Sequence, residues 1–350
     1  MSLSARLNAL VVGGALPLMA LGFLSCDSPG DGGKVSPLSG DLIRVMYWGN
    51  VSPVQDEANF GTPTGNVRYP QWYSPDAILV VSAKLEDPGV VRGLFDVRID
   101  PATRAYKSVT PYSFGHVVRN FDTHPAGGEM LVTMSVDPMS LQTVRCILAA
   151  PSLAVVDTVV DGSWLPVCTR YAGPSTGIAT YALTPPGDTP GFYYRAQEGE
   201  EDSLILAVDL GLSDANGFDA DEEKVVFGVT SPSFETNLHI VTLASRKDTV
   251  VATLPGEFVS VAISPAGDRA IVCTFELFGS APGSRIVVVN LQTGKSAPVG
   301  VRTHEFGDVL AEFPSWDPSG NAFAFSGSGF TGEGDVYPRE LWVKTKVPHP

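Results

Sequence analysis

Beyond residue 40 the chain is a succession of short runs in which apolar and polar positions alternate, separated by turns rich in Pro and Gly. The stretch 314–327, PSWDPSGNAFAFSG, shows the unit: an apolar approach, a Pro-Ser-Gly turn, and the run Ala322-Phe323-Ala324-Phe325. A Pro-x-Gly turn between such runs reads as two antiparallel strands joined by a tight loop. Two strands alone do not fold stably, so the question is whether the unit repeats. It does. Pro265 in SVAISPAGDRAIVCTF, Ala220 in GFDADEEKVVFGV, Pro174 in RYAGPSTGIATYAL, Pro125 in RNFDTHPAGGEMLVTM and Pro75 in PQWYSPDAILVVSA all stand where Pro318 stands. Four of the six anchors keep Pro with a Gly one to three residues later. Pro75 lacks the Gly, and the copy at Ala220 lacks both residues.

The anchors are 45 to 53 residues apart, which leaves room for four strands per copy. The fifth copy shows them as EFVSVAIS, RAIVCTF, SRIVVVNL and SAPVGVR. A period in the forties with four strands per repeat predicts an all-β, six-bladed β-propeller of four-stranded blades. A long β-sandwich or β-solenoid is the alternative. Only 32 residues follow Pro318, enough for FAFSG and ELWVKTKV but not for a fourth strand. The alternating run DLIRVMYW at 41–48 is expected to supply it by pairing with 340–347, closing the ring through an N-terminal strand in the last blade. An unclosed five-and-a-half-blade array would instead leave an apolar edge exposed.

Residues 1–25 have one cation, Arg6, an uncharged apolar stretch from Leu7 to Ser25, and then Cys26, the form of an export signal. The ending Phe23-Leu24-Ser25-Cys26 resembles a bacterial lipobox, with Phe23 where Leu is usual, and makes Cys26 the candidate lipidation site. A plain signal peptide and an uncleaved single-span anchor are the alternatives, the latter interrupted by Gly13, Gly14 and Pro17. DSPGDGGKVSPLSG follows and reads as a tether. The expected organisation is a lipoprotein signal peptide at 1–25, a flexible tether at 26–40 and the propeller at 41–350.

Without residues 1–25 the balance is 22 Lys and Arg against 38 Asp and Glu, a formal charge of −16. Nucleic acid is thereby excluded as a partner, since its phosphates need a basic surface. The acidic runs EGEEDS and DADEE fall at expected turns, and DANGFDADEE fails the calcium-loop pattern because Phe218 and Asp219 occupy its third acidic and Gly positions. Cys146, Cys168 and Cys273 have no zinc-site spacing and read as buried small apolar residues, with a Cys146–Cys168 bridge as the alternative. His116, His124, His239, His304 and His349 do not cluster in sequence. SGSGFTG departs from a nucleophile elbow at Ser326, and dinucleotide and P-loop signatures are missing. No catalytic residue, metal or cofactor is expected.

The form Trp-x-Pro-x-Gly-x-x-apolar-x-Phe is present from Trp316 to Phe325 and, less completely, from Ile263 to Val272. It resembles the propeller repeat of the TolB-like family, and the resemblance extends over residues 41–350. It implies a six-bladed propeller of the cell envelope that binds protein partners without catalysis. The chain departs from TolB proper in having no separate N-terminal domain. The same repeat precedes the hydrolase domain of prolyl-oligopeptidase-like peptidases, for which the residues after the propeller leave no room. The expected protein is thus an exported, lipid-anchored monomer on the periplasmic or surface side of a bacterial envelope, held to the membrane by its N-terminal lipid and binding an envelope protein or peptide. An enzyme or small-ligand binder using the central channel is the second class.

Turns between first and second strands should form one face and second-to-third-strand loops the other. On the second face the stretches 84–93, 184–191, 275–284 and 326–338 read as loops of unequal length. They carry Phe275, Phe278, Phe330 and Tyr337, the candidate partner-binding anchors. Local packing of these rings over the blade tops is the alternative.

Overall fold

The computed structural model describes residues 41–46, 66–83, 93–112, 117–124, 127–135, 143–149, 155–158, 166–172, 177–183, 189–197, 200–210, 217–278, 281–300, 310–328 and 340–350. They form six four-stranded antiparallel sheets and, among the described residues, no helix. The chain enters through β1 (Leu42–Met46). Blade 1 is β2 (Asn66–Ser74), β3 (Ala77–Ala83), β4 (Gly93–Ile99) and β5 (Tyr106–Tyr112). Blade 2 is β6 (Val117–Thr123), β7 (Glu129–Ser135), β8 (Thr143–Ala149) and β9 (Val155–Thr158). Blade 3 is β10 (Pro166–Tyr171), β11 (Ile178–Ala182), β12 (Gly191–Arg195) and β13 (Ser203–Ala207). Blade 4 is β14 (Asp219–Ala220), β15 (Lys224–Thr230), β16 (Glu235–Thr242) and β17 (Lys247–Pro255). Blade 5 is β18 (Glu257–Ile263), β19 (Arg269–Phe278), β20 (Ala281–Asn290) and β21 (Ser296–Val299). Blade 6 is β22 (Leu310–Trp316), β23 (Phe323–Ser328), β24 (Glu340–Lys344) and, as its outer strand, β1.

Closure is as the sequence predicts: β1 pairs antiparallel with β24 from Leu42↔Lys344 to Met46↔Leu341. The Thr345 N–H donates to the Asp41 carbonyl at 2.8 Å, and Lys344 Nζ meets Asp41 Oδ2 at 2.7 Å. Period-two alternation builds the core. On β19, Ile271 and Cys273 pack with blade 6, whereas Ala270 and Val272 pack with blade 4. On β23, Phe323 and Phe325 fill the junction with blade 5, and Ala324 faces blade 1. Six hydrophobic clusters result, one at each junction between neighbouring blades, including the seam between blades 6 and 1. A sandwich has no such cyclic set of junctions. Cys146, Cys168 and Cys273 are buried thiols in these junctions, not joined in a disulfide, with burial pushing Cys168 and Cys273 up to about 12.

Two local expectations are corrected. Ala220 is not a turn anchor but the last residue of β14; the turn is Asp221–Lys224. Asp221 Oδ1 accepts the N–H groups of Glu223 and Lys224, so an Asx turn replaces the Pro-Gly turn. The stretch 275–284 is not an open loop, because β19 and β20 stay paired through Phe278↔Ala281 and form one long hairpin.

Candidate functional site

The first strand of each blade stands at the ring's centre. At six corresponding positions, one per inner strand, the chain carries Gln71, Asp122, Arg170, Asp219, Ala262 and Ser315, and all six line one cavity. Three of them clip their blade to the next. Asp122 Oδ2 accepts the Tyr171 N–H at 2.8 Å, Asp219 Oδ2 accepts the Ile263 N–H at 2.7 Å, and Ser315 Oγ accepts the Trp72 N–H at 2.9 Å. The clips join blades 2 to 3, 4 to 5 and 6 to 1, so every second junction is held by an acceptor side chain.

The cavity has a volume of about 780 Å³ and opens on the face that bears the turns between first and second strands. Its rim includes Glu222, Pro265, Gly267 and Pro318 from those turns and Gln292 from a third-to-fourth-strand turn. One wall is ionic. Arg170 Nη1 donates to Asn120 Oδ1, to the Thr169 carbonyl at 3.0 Å and to the Phe121 carbonyl at 3.5 Å, while its Nε lies 4.0 Å from Asp219 Oδ1. Burial dominates at Asp219 and, against the opposing charge of Arg170, pushes its carboxyl up to about 7, with nearby Asp122 adding to the effect. Burial also raises Asp122. Burial works against the charge of Arg170, but Cys168, Asp122 and Asp219 hold it above its ordinary value.

The opposite wall is an aromatic and proline shelf. Tyr69-Pro70-Gln71-Trp72 in blade 1 and Phe313-Pro314-Ser315-Trp316 in blade 6 share the order aromatic, Pro, polar, Trp. Each carries a β-bulge whose aromatic residue has positive φ, 50° at Tyr69 and 52° at Phe313. The two rings lie 4.3 Å apart, and the Phe313 N–H donates to Ser260 Oγ of blade 5. Behind the shelf, Arg104 covers the Trp72 ring at 4.8 Å and reaches Asp317 at 3.3 Å, and Arg269 covers Trp316 at 5.0 Å.

The anchors expected from the sequence lie elsewhere. Phe275 is half-buried on β19, paired with Glu257 and Ser284, and Phe278 ends that strand. Cys26, Phe330 and Tyr337 lie outside the described residues. Among the described residues no group of three or more His, Cys, Asp or Glu is placed to hold a metal ion. Sequence reasoning missed Arg170 and the paired shelf. The doubled aromatic-Pro-polar-Trp order was the available signal.

Neither a protein-family model nor a curated protein matches the sequence. Comparison with solved structures does find likeness. TolB from Acinetobacter baumannii superposes with a TM-score of 0.50 at 10% identity, over 85% of this chain and 69% of that one. The fold is a TolB-like propeller. A hydrazine synthase from Kuenenia stuttgartiensis matches at 0.48 and 11% identity, over 83% of this chain and 89% of that one. An oligogalacturonate lyase in complex with manganese matches at 0.47 and 10% identity, over 80% and 76%. The superposition on the Acinetobacter TolB carries the TolB-like fold, and with only one residue in ten identical it leaves activity to the site itself.

Proposed function

We propose that the protein is an exported, lipid-anchored propeller of the bacterial cell envelope that binds a polypeptide partner at the mouth of its central channel and catalyses nothing. The observation that supports this most is that the polar walls of the mouth are already in use. Asp122, Asp219 and Ser315 hold neighbouring blades together, and Arg170 is held by Asn120 and two carbonyls. The shelf and the exposed rim carboxylates Glu222 and Glu223 stand outside those contacts. A cavity of about 780 Å³ suits a chain end or a few side chains rather than a domain. The signal-like residues 1–25, Cys26 and the tether-like 26–40 support export and anchoring. Phe275 and Phe278 on β19, with Phe330 and Tyr337 outside the described residues, are proposed as a further partner surface separate from the channel mouth.

A second reading, a small-ligand site or active site in the same cavity, is favoured by one observation: a carboxyl titrating near neutrality is what a general acid or base requires. One experiment separates the two. A photo-crosslinking residue at the exposed Glu222 position, irradiated in intact envelopes, should capture one protein of discrete mass, and Asp219→Asn should leave that capture intact. Absence of any protein adduct, together with loss of small-ligand binding in Asp219→Asn, would favour the second reading.

A further inference from the structure

Away from the channel, one turn departs from the chain's own pattern. Ser264-Pro265-Ala266-Gly267 and Asp317-Pro318-Ser319-Gly320 are turns in which the fourth residue donates its N–H to the first carbonyl and adopts positive φ, 72° and 70°. Ser231-Pro232-Ser233-Phe234 makes the same turn between β15 and β16, with the Phe234 N–H on the Ser231 carbonyl at 3.0 Å and φ at 59°. Phe therefore stands where the repeat uses Gly, in a conformation that L side chains resist. Arg104, another non-Gly residue with φ of 60°, uses its side chain to cover Trp72 and reach Asp317. The Phe234 ring has no comparable use: the residue is 61% exposed. The turn that presents it is well ordered, since Ser231 and Ser233 hydroxyls bond each other at 2.7 Å and Ser233 reaches Glu235 at 3.1 Å.

The surroundings of the ring specify a charge. The Phe234 carbonyl accepts the N–H of Gly256, the residue that links blades 4 and 5. Gly256 is packed so closely that a Cβ there would fall 2.7 Å from both the Phe275 carbonyl and Glu276 Cγ, which brings the turn of blade 4 against the end of β19. Three carboxylates gather around this joint. Glu235 is exposed, Glu257 is half-buried and raised by burial, and Glu276 gives one oxygen to Arg285 at 2.9 Å while its other, enclosed oxygen has no hydrogen-bond partner. A strained, exposed aromatic ring in an acidic setting is suited to a group that is both apolar and cationic.

We infer that the junction of blades 4 and 5 on the second-to-third-strand face is a docking surface for a basic, apolar polypeptide segment, anchored on the Phe234 ring and recognised by Glu235 and Glu257. This rests on reading the protein as a polypeptide-binding propeller but not on the channel mouth, which opens on the other face. The test uses the full mature protein, a fluorescent peptide alternating Lys and Leu, and a matched peptide alternating Glu and Leu. The wild type should bind the first and not the second. Phe234→Gly should weaken binding about tenfold or more, as loss of a central aromatic anchor does. Its melting temperature should stay level or rise by ~2 °C, because the Gly relieves the turn. Glu235→Gln, at an exposed position, should weaken the Lys peptide severalfold at unchanged melting temperature. Equal binding by Phe234→Gly, failure of the wild type to bind the Lys peptide, or a fall of several degrees in Phe234→Gly would each overturn the inference. Capture from position 222 in the Phe234→Gly protein reports on the channel reading separately, so the two can fail independently.

Discussion

At Asp219 one side chain has two tasks that oppose each other. It accepts the Ile263 N–H across the junction of blades 4 and 5, which a carboxylate and an amide oxygen do equally well, and it carries a charge that its surroundings resist. The folded carboxyl titrates near 7 against 3.8 for the ordinary group, so between those values the folded protein binds more protons than the unfolded chain. Its contribution is therefore fully present below pH 3.8 and is lost as pH rises through 7. Asp219→Asn keeps the acceptor and removes the charge, and its melting temperature should exceed that of the wild type at pH 8, with the gap closing towards pH 4; a gap that widens on acidification would reverse the assignment. Ser315 gives a contrasting expectation. Ser315→Ala leaves the buried Trp72 N–H at the seam without its acceptor, which should cost about 1–3 kcal/mol in urea unfolding at every pH. Residues of this kind were hidden from sequence reasoning, because Asp122, Asp219 and Ser315 are isolated polar letters until the ring sets them at corresponding positions.

The strand elements were more legible. The alternation of RAIVCTF and of Ala322 to Phe325 is that of strands buried on both faces, with Phe one way and Ala the other in the second run, and the structure uses it so. Where reading failed, a turn was made by other chemistry: Asp221 stands in for Pro-Gly, and the β19–β20 hairpin keeps its ladder past the Phe-Glu-Leu-Phe run that looked like a loop. The channel shelf was legible only as a repeated word, since nothing in Tyr-Pro-Gln-Trp or Phe-Pro-Ser-Trp announces a bulge. Close packing between elements gives a further expectation at Gly228 on β15. A Cβ there would lie 2.1 Å from the Phe258 ring, so Gly228→Ala should destabilise by about 1–3 kcal/mol in urea unfolding, with relief in a Gly228→Ala, Phe258→Leu double variant. At β1 the expectation concerns an edge. A chain starting at residue 41 should melt like the mature protein, whereas one starting at residue 50 loses Leu42 and Val45 from two junctions and bares β24, so it should aggregate on warming.

For the whole molecule, the proposed anchor has a direct check. Intact mass of the membrane fraction should show a chain beginning at Cys26 and carrying lipid, and an unmodified or uncleaved N-terminus would remove the anchor from the account. Ring closure decides what such an anchor would do mechanically. Successive strands alternate in direction, so the end of β24 at Lys344, and with it the start of β1 beside it, lies on the face that bears the first-to-second-strand turns and the channel mouth. A pull on the N-terminus away from that face runs along the axis of β1 and loads its ladder with β24 in shear, all rungs together, instead of peeling them one at a time. The load enters at Asp41, where the Lys344 ion pair and the Thr345 hydrogen bond sit, and is passed through blade 6 to the Ser315 clip and the Arg104–Asp317 pair on the far side of the seam. The ring is thus reinforced along the line on which a tethered protein would be tugged.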